Sequence, residues 1–467
     1  MMKTYLILII AGLLAAGMCF CMCATYAHAE PLARMVRPER PETQAEPEYV
    51  ARTRMRTLSG WETAEFNSSQ MRTKIEAAAD PLYDAQNVST KGWAFYLPGS
   101  STASNIYGVV GLGLLRAYNL TKTMTVTVVT ADKPDYLTAA GYTAQAIIDG
   151  TFPWQATDYV FLHYYAEVSG DSSYKTTAES ELQSDIITAH GGTAADVATW
   201  LDGIDNGQGK LWQLANWVEV FQLYGETDYA DAVVDKIMNR YVTVGTGVNE
   251  VGGFVYNTVE NYVRTLDQAR VVEVLKRFYA TDKATQISKG LALLKDLQYN
   301  NGYFRWGCEL NTGAGTVTLF PSVMIQDQAF AVKALAYNNQ TTSTNFTNHF
   351  GTYWAANALM EMQDVDGGFT KRPEQDDLEN VSEYNAEALD ALHASCGEGD
   401  VDRSGQLFPW DALDALKAYL GMINLDGPAL LAADRDGDNQ IAPADALAIL
   451  QASVGKKIEV NPGNNVQ

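Results

Sequence analysis

Gln298-Tyr-Asn-Asn-Gly302-Tyr-Phe304 and Gln363-Asp-Val-Asp-Gly367-Gly-Phe369 share one spacing, Gln-x-x-x-Gly-x-Phe, and each follows an apolar run (Leu291 to Leu297, and Trp354 to Met362). Gly252-Gly253-Phe254 is a partial third copy. The glycine lets the chain reverse closely under a helix end, and the aromatic packs across the turn. A turn repeated after successive helices implies hairpins built to one plan. Working outward, apolar residues recur at three- and four-residue intervals from about 60 to 396, and strand signals are few. The pattern predicts helices near 62–80, 103–118, 134–149, 156–168, 173–190, 209–224, 227–240, 258–279, 283–297, 321–337, 344–362 and 380–395. Alternating short and long connections pair them into six hairpins, with the first and last closing a ring. The expectation is a mainly α chain with an (α/α)6 toroid over residues 59–396.

The turns resemble the glutamine–aromatic repeats of α/α toroids, among them terpenoid cyclases and toroidal pectate lyases. The resemblance is one of fold and spans about residues 60–396. Terpenoid cyclases use a DxDD acid motif, for which the nearest stretch is Glu374-Gln-Asp376-Asp377, so their chemistry is not expected. The zinc residues of prenyltransferase toroids have no counterpart. Polar pairs also recur at helix starts: Asp267-Gln268, Asp327-Gln328, Tyr384-Asn385 and Ser104-Asn105. Two readings stay open for them: caps for free backbone N–H groups, or a ligand-facing ring at one mouth of the barrel.

The C-terminal seventy residues carry a second repeat. Asp400, Asp402, Ser404, Gln406 and Asp411 recur in pattern as Asp434, Asp436, Asp438, Gln440 and Asp445. Calcium takes six to eight oxygen ligands, which a twelve-residue loop supplies from positions 1, 3 and 5, a carbonyl at 7 and a carboxylate at 12. Gly405 and Asn439 suit the sharp turn at position 6. A short helix follows each loop, with Leu413, Leu416 and Leu420 on one face and Leu447, Leu450 and Val454 on the matching one. Gly421 and Gly455 end them. Residues 397–457 resemble a type I dockerin, which lacks the helix before each loop and closes the loop with Asp. The resemblance implies two bound calcium ions and a cohesin-domain partner. Partner choice would involve loop positions 10 and 11, here Pro409-Trp410 and Pro443-Ala444, unlike the small hydroxyl pair frequent in cellulosomal dockerins. Ser404 stands where the second loop has Asp438, so the first site is expected to bind calcium more weakly.

Residues 1–29 read as a secretory signal peptide: Lys3, an apolar run from Tyr5 to Met18, and a cleavage site at Ala27-His28-Ala29. The run is short for a membrane span. Residues 30–58 read as a flexible leader and 458–467 as a disordered tail. A secreted location follows. Cleavage would leave Cys308 and Cys396, too few for a disulfide framework. A net charge of −23 argues against nucleic acid and acidic lipid partners.

The chemistry left is carboxylates and aromatics. The five histidines are scattered, and no phosphate loop, nucleophile elbow or dinucleotide fingerprint occurs. Trp200, Trp212, Trp217, Tyr303 and Trp306 are candidate platforms for sugar rings. Paired carboxylates can hydrolyse a glycosidic bond, and the candidates are Asp202, Asp205, Asp267, Asp327 and Glu309. A lyase would need a base such as Arg264 or Lys371. Dockerins usually tether carbohydrate-active enzymes, so the expectation is a toroid that degrades polysaccharide, as glycoside hydrolase or polysaccharide lyase. A toroid that only binds glycan or protein is the alternative.

Overall fold

The computed structural model describes residues 68–453, apart from 88, 98–101, 122–134, 151, 205–209, 248–249, 257–260, 300, 339–351, 365–366, 373–379, 397–400, 402–408, 424, 426–428, 430–431 and 436–439. The chain divides into two units, 1–44 and 45–467, of which the first lies outside the described residues. So do the expected signal peptide, leader and tail.

Among the described residues the first thirteen α-helices are α1 (Ser68–Asp84), α2 (Tyr107–Thr121), α3 (Tyr136–Asp149), α4 (Ala156–Ser169), α5 (Ser173–Glu181), α6 (Ala194–Gly203), α7 (Leu211–Leu223), α8 (Thr227–Met238), α9 (Thr265–Tyr279), α10 (Ala284–Leu297), α11 (Ile325–Tyr337), α12 (Thr352–Glu361) and α13 (Ser382–Cys396). Six of them form a ring. Helices α2, α4, α7, α9, α11 and α13 each pack on the next, and α13 packs back on α2. Outside them lie α1, α3, α5, α8, α10 and α12, each on one or two ring helices. This is the expected (α/α)6 toroid. Its core is continuous, and the ring helices are buried on nearly every side: all residues of α9 from Thr265 to Leu275 are buried.

Three elements depart from expectation. The segment 173–190 is α5 continued by a π-helical stretch, Leu182–Thr188. Helix α6 was not anticipated and packs on α8. The segment 258–279 becomes helical only at Thr265, because Tyr262–Arg264 is drawn into a sheet. That sheet pairs β4 (Tyr262–Arg264) with β5 (Gly307–Asn311) and β5 with β6 (Thr316–Phe320), all antiparallel. The alternation Thr316-Val-Thr-Leu-Phe320 is a β-branched and aromatic strand pattern. Two smaller pairs join β1 (Tyr96–Leu97) to β7 (Asn380–Val381), and β2 (Tyr241–Val244) to β3 (Val251–Phe254).

The repeated turns are built alike. Gln298 bridges to Phe304, and Gln363 to Phe369. Gly302 and Gly367 both take φ +91, a left-handed backbone that suits glycine. Each glutamine donates back to the glycine carbonyl, Gln298 Nε2 to Gly302 O at 3.1 Å and Gln363 Nε2 to Gly367 O at 2.9 Å. Phe254, Phe304 and Phe369 are all fully buried. At Gly367 a Cβ would also lie 2.0 Å from Ala77 O, so the turn sits hard against α1.

The lumen is filled with charge. Arg270 pairs with Glu273 (2.7 Å) and Glu219 and donates to Asn216 (2.7 Å). Arg277 pairs with Glu219 (2.7 Å) and donates to Tyr164 Oη (2.8 Å). Lys333 joins Glu273 (3.8 Å) to Asp390 (2.6 Å), which Arg116 also holds (3.1 Å). This network has a member on every ring helix and plugs the barrel.

At the C-terminal end, α14 (Pro409–Tyr419) and α15 (Pro443–Ser453) pack on each other, each with proline at its first position. Gly421 takes φ +68 past α14, and Met422 N donates to Lys417 O, a glycine-dependent helix stop. Their shared core is Val401, Ala412, Ala415, Ala433, Ala446 and Ile449, with Leu416 partly buried. Leu413, Leu420, Leu447 and Leu450 face solvent. Small residues let the helices approach, which turns the expected leucine face outward.

Candidate active site at the helix-start mouth

The starts of the ring helices are fastened to one another. Asp267 Oδ1 on α9 accepts from Trp212 N at the start of α7 (2.9 Å), and Asp327 Oδ1 on α11 accepts from Leu266 N at the start of α9 (2.9 Å). Asp158 Oδ1 on α4 likewise accepts from Gly108 N on α2 (2.8 Å). Each aspartate thus caps the preceding ring helix, where backbone N–H groups are free and the dipole favours a negative charge.

The neighbouring amides turn the other way. Gln268 Oε1 accepts from Phe254 N (3.0 Å), and its Nε2 donates to Gly252 O and Gly290 O (3.2 and 3.1 Å). Gln328 does the same for Phe304 N, Gly302 O and Ala355 O (2.9, 3.2 and 2.7 Å), and Asn385 Oδ1 takes Phe369 N (2.6 Å). These amides clamp the aromatic turns. They do not form the ligand-facing ring that the sequence left open.

Inside the mouth a second set of groups converges on Arg264, the residue that ends β4 and caps α9. Its Nε lies 3.4 Å from Asp327 Oδ1, and its Nη2 is 3.5 Å from Gln326 Oε1. Gln326 Nε2 donates to Glu387 Oε1 (3.4 Å), and Glu383 stands one helical turn before Glu387 on α13. Asp267 and Asp327 are fully buried, Glu383 is nearly so, and Glu387 is partly exposed. Asp267 Oδ2, Asp327 Oδ2 and Glu387 Oε2 have no hydrogen-bond partner among the described residues.

Burial dominates the electrostatics. It lifts the Asp327 carboxyl to about 6 although Arg264 pulls the other way, and it raises Asp267 against Arg264 and the Trp212 N–H. Glu383 is pushed up to about 7, with Arg264 and Lys210 opposing. Glu387 is held well above the carboxylate range by burial and then by the charge of Glu383, with Gln326 opposing. The two carboxyls repel as anions, so the charge of whichever ionises first keeps the proton on the other. Arg264 stays charged, because Asp327, Asp267 and Glu387 outweigh the loss of its hydration.

Aromatics rim the mouth. Tyr256 stacks on Tyr262 (5.2 Å between centroids), Tyr262 on Trp306 (6.1 Å), and Trp306 leans on Phe320 (5.7 Å). Tyr96 on β1 is half exposed.

Of the aspartates singled out from sequence, Asp267 and Asp327 belong to this cluster. Asp202 is ion-paired to Arg240 at 2.5 Å, and Asp205 lies outside the described residues. Among the candidate platforms, Trp306 is buried beneath this aromatic row, against Tyr262 and Phe320. Trp217 and Tyr303 are buried in the core, and Trp200 stacks on His190 at 3.5 Å. Glu383 and Glu387 were missed, though a Glu-x-x-x-Glu pair on one face of a buried helix was a signal in the sequence.

In the C-terminal loops Asp411, Asp434 and Asp445 are buried, and Asp445 accepts from Arg435 N (2.7 Å) and Ala442 N (2.8 Å), which draws the ends of the second loop together. Asp400, Asp402, Ser404, Gln406, Asp436 and Asp438 lie outside the described residues, and those described form no metal-ligand group of three or more. The donor set is all oxygen and suits a hard cation. Pro409, Trp410, Pro443 and Ala444 are exposed at the starts of α14 and α15. No described helix is long and apolar enough to cross a membrane.

No protein-family model and no curated protein matches the chain. Among solved structures, it is similar to a type II terpene cyclase from Scytonema (14% identity, 70% of this chain and 99% of that one, TM-score 0.43). It is also similar to a possible member of the GH105 family from Klebsiella pneumoniae (12%, 70% and 92%, 0.45). A third is an unsaturated glucuronyl hydrolase specific for heparin (12%, 70% and 97%, 0.45). The toroid assignment rests on this chain's own ring of helices.

Proposed function

We propose that the toroid cleaves polysaccharide by acid–base catalysis at the helix-start mouth, and that the C-terminal module tethers it to a partner in a calcium-dependent way outside the cell. One observation carries the catalytic reading: Glu383 and Glu387 sit one turn apart on α13, both held above the normal carboxylate range beside the charged Arg264. Two carboxyls whose environments separate their proton affinities can divide the acid and base roles. Glu387 gives its proton to the departing glycosidic oxygen as the carbon–oxygen bond opens. Glu383, ionised, takes a proton from the attacking water, whose oxygen forms the new bond to the sugar carbon. Asp327 holds Arg264 in place at 3.4 Å, and the charge of Asp267 acts in the same sense. The rim aromatics offer planar faces to the apolar C–H faces of sugar rings.

For the tether, Asp434, Asp436, Asp438, Gln440 and Asp445 would hold one calcium ion, and Asp400, Asp402, Ser404, Gln406 and Asp411 the other. The ion neutralises the acidic loop and fixes the helix behind it. Trp410, Leu413, Leu447 and Leu450 then present an apolar face, with Pro409, Pro443 and Ala444 beside it, to a cohesin-like domain.

The test is to incubate the full chain with a panel of plant and microbial polysaccharides, following reducing ends and the ultraviolet absorbance of unsaturated sugars. Hydrolysis predicts reducing ends without the chromophore. Chromophore formation would make the toroid a lyase, and polymers that are bound but never cut would make it a non-catalytic glycan-binding ring.

A further inference from the structure

The β4–β6 sheet has one face that the core does not use. Its register sets Tyr262 opposite Glu309 and Glu309 opposite Thr318, and then Asn311 opposite Thr316. Phe320 lies across Gly307 from Arg264. Successive residues of a strand point to opposite faces, so these side chains share the face that carries Arg264. On the reverse face Val263, Cys308 and Leu310 are fully buried. Glu309, Asn311, Thr316 and Thr318 are exposed, and Tyr262 and Phe320 are partly so.

We infer that this open face is a binding subsite for an extended, uncharged stretch of glycan leading into the mouth. The inference rests on the glycan-cleaving reading of that mouth and adds where the rest of the chain lies and what charge it bears. Three observations argue for it. First, the face is continuous with the site, because Tyr262 and Arg264 are two residues apart on one strand and Arg264 faces the carboxyl cluster. Second, its chemistry is mixed: Phe320 and Tyr262 offer aromatic planes toward the mouth, Glu309 and Thr318 share the row of Tyr262, and Asn311 and Thr316 follow further out. Sugar rings need both kinds of contact, apolar for the C–H faces and hydrogen-bonding for the hydroxyls. A protein-docking face would instead be depleted of Glu and Ser-like groups at its centre. Third, the polar rows carry no Lys or Arg beyond the mouth, and Glu309 adds a negative charge to a chain of net charge −23, which repels a polyanion. Strand β5, at five residues, is roughly 17 Å long, enough to hold several sugar units in line.

Affinity electrophoresis of the full chain, in gels containing a neutral xylan, galactomannan or mixed-linkage glucan, or an acidic polygalacturonate, tests this. The expected result is retardation by at least one neutral polymer and none by polygalacturonate. Thr318→Arg, an exposed change that projects a long side chain over the face, should weaken that retardation at least fivefold, and Glu309→Ala should weaken it several-fold. Unaltered retardation in both variants would overturn the inference, as would retardation by the acidic polymer alone or by none. A change in elution volume of Thr318→Arg, in place of a change in glycan binding, would make the face a protein contact and equally overturn it. Cleavage by Glu387→Gln tests the mouth separately, so either idea can fail alone.

Discussion

At Glu387 the competition between burial and charge decides the chemistry. Its Oε2 has no hydrogen-bond partner among the described residues, its Oε1 has only a 3.4 Å bond from Gln326, and Glu383 adds a like charge one turn away. Gln326, Arg264 and Lys333 favour its ionised form too weakly to offset these. Glu387→Gln is therefore expected to lower kcat on a cleaved polymer by about 10²–10⁴-fold, the usual worth of a positioned acid, with KM nearly unchanged. Glu383, at about 7, sets the other limb. Activity should fall as pH drops through about 7, because the base becomes protonated, and Glu383→Gln should abolish that limb along with most of the rate. A pH–rate profile of both variants checks this. If Glu387→Gln keeps wild-type turnover, the acid lies elsewhere.

At the scale of elements, the repeated turn is a clamp read from both ends. Gln298 and Gln363 fold it from within, and Gln328 and Asn385 hold its aromatic residue from the next ring helix. Gln328→Leu would leave Phe304 N buried without its partner, and should cost about 2 kcal/mol in urea unfolding. Gly367→Ala would force both a left-handed alanine and a clash with Ala77 O, so it should be worse than a helix-surface change by several kcal/mol. A loss below about 1 kcal/mol in either would contradict the clamp. This turn was legible in the sequence because it is local: glutamine, glycine and phenylalanine act within seven residues. The ring followed from counting periodic segments. What was not legible depends on distance. That Asp267 caps α7 and Asp327 caps α9, each from a neighbouring helix, appears only once the ring closes. Strand β4 was read as helix, since three residues paired with a distant segment carry no periodic signal of their own. The aspartates drew attention by their position at helix starts, yet it is the plainer Glu383 and Glu387 that face the mouth.

Over the whole molecule, ionisable groups inside the barrel govern stability. Glu219 and Asp390 are held well below the normal carboxylate range, against burial, by Arg277, Arg270, Lys333 and Arg116. Glu219→Gln should cost about 3–5 kcal/mol, because it leaves buried arginines uncompensated. A depressed carboxylate stabilises above its unfolded value near 4 and loses that contribution as pH falls further. The raised groups act oppositely: Asp158 at about 7, Asp327 at about 6 and Glu383 at about 7 favour folding below about 4 and lose that contribution as pH climbs to about 7. Thermal stability should therefore peak on the acid side of neutrality, between about pH 4 and 6, and a peak above pH 8 would contradict the assignment. Calcium titration of the full chain should show two sites, the weaker one lost in Asp400→Ala and the tighter in Asp434→Ala. The central claim remains catalytic. Its most direct test is cleavage of the polysaccharide panel by wild-type protein and by Glu387→Gln, with reducing ends and unsaturated products measured together. The account predicts new reducing ends from at least one polymer, no chromophore, and a loss of at least 100-fold in the variant. Equal cleavage by the two proteins, or none by either, would contradict it.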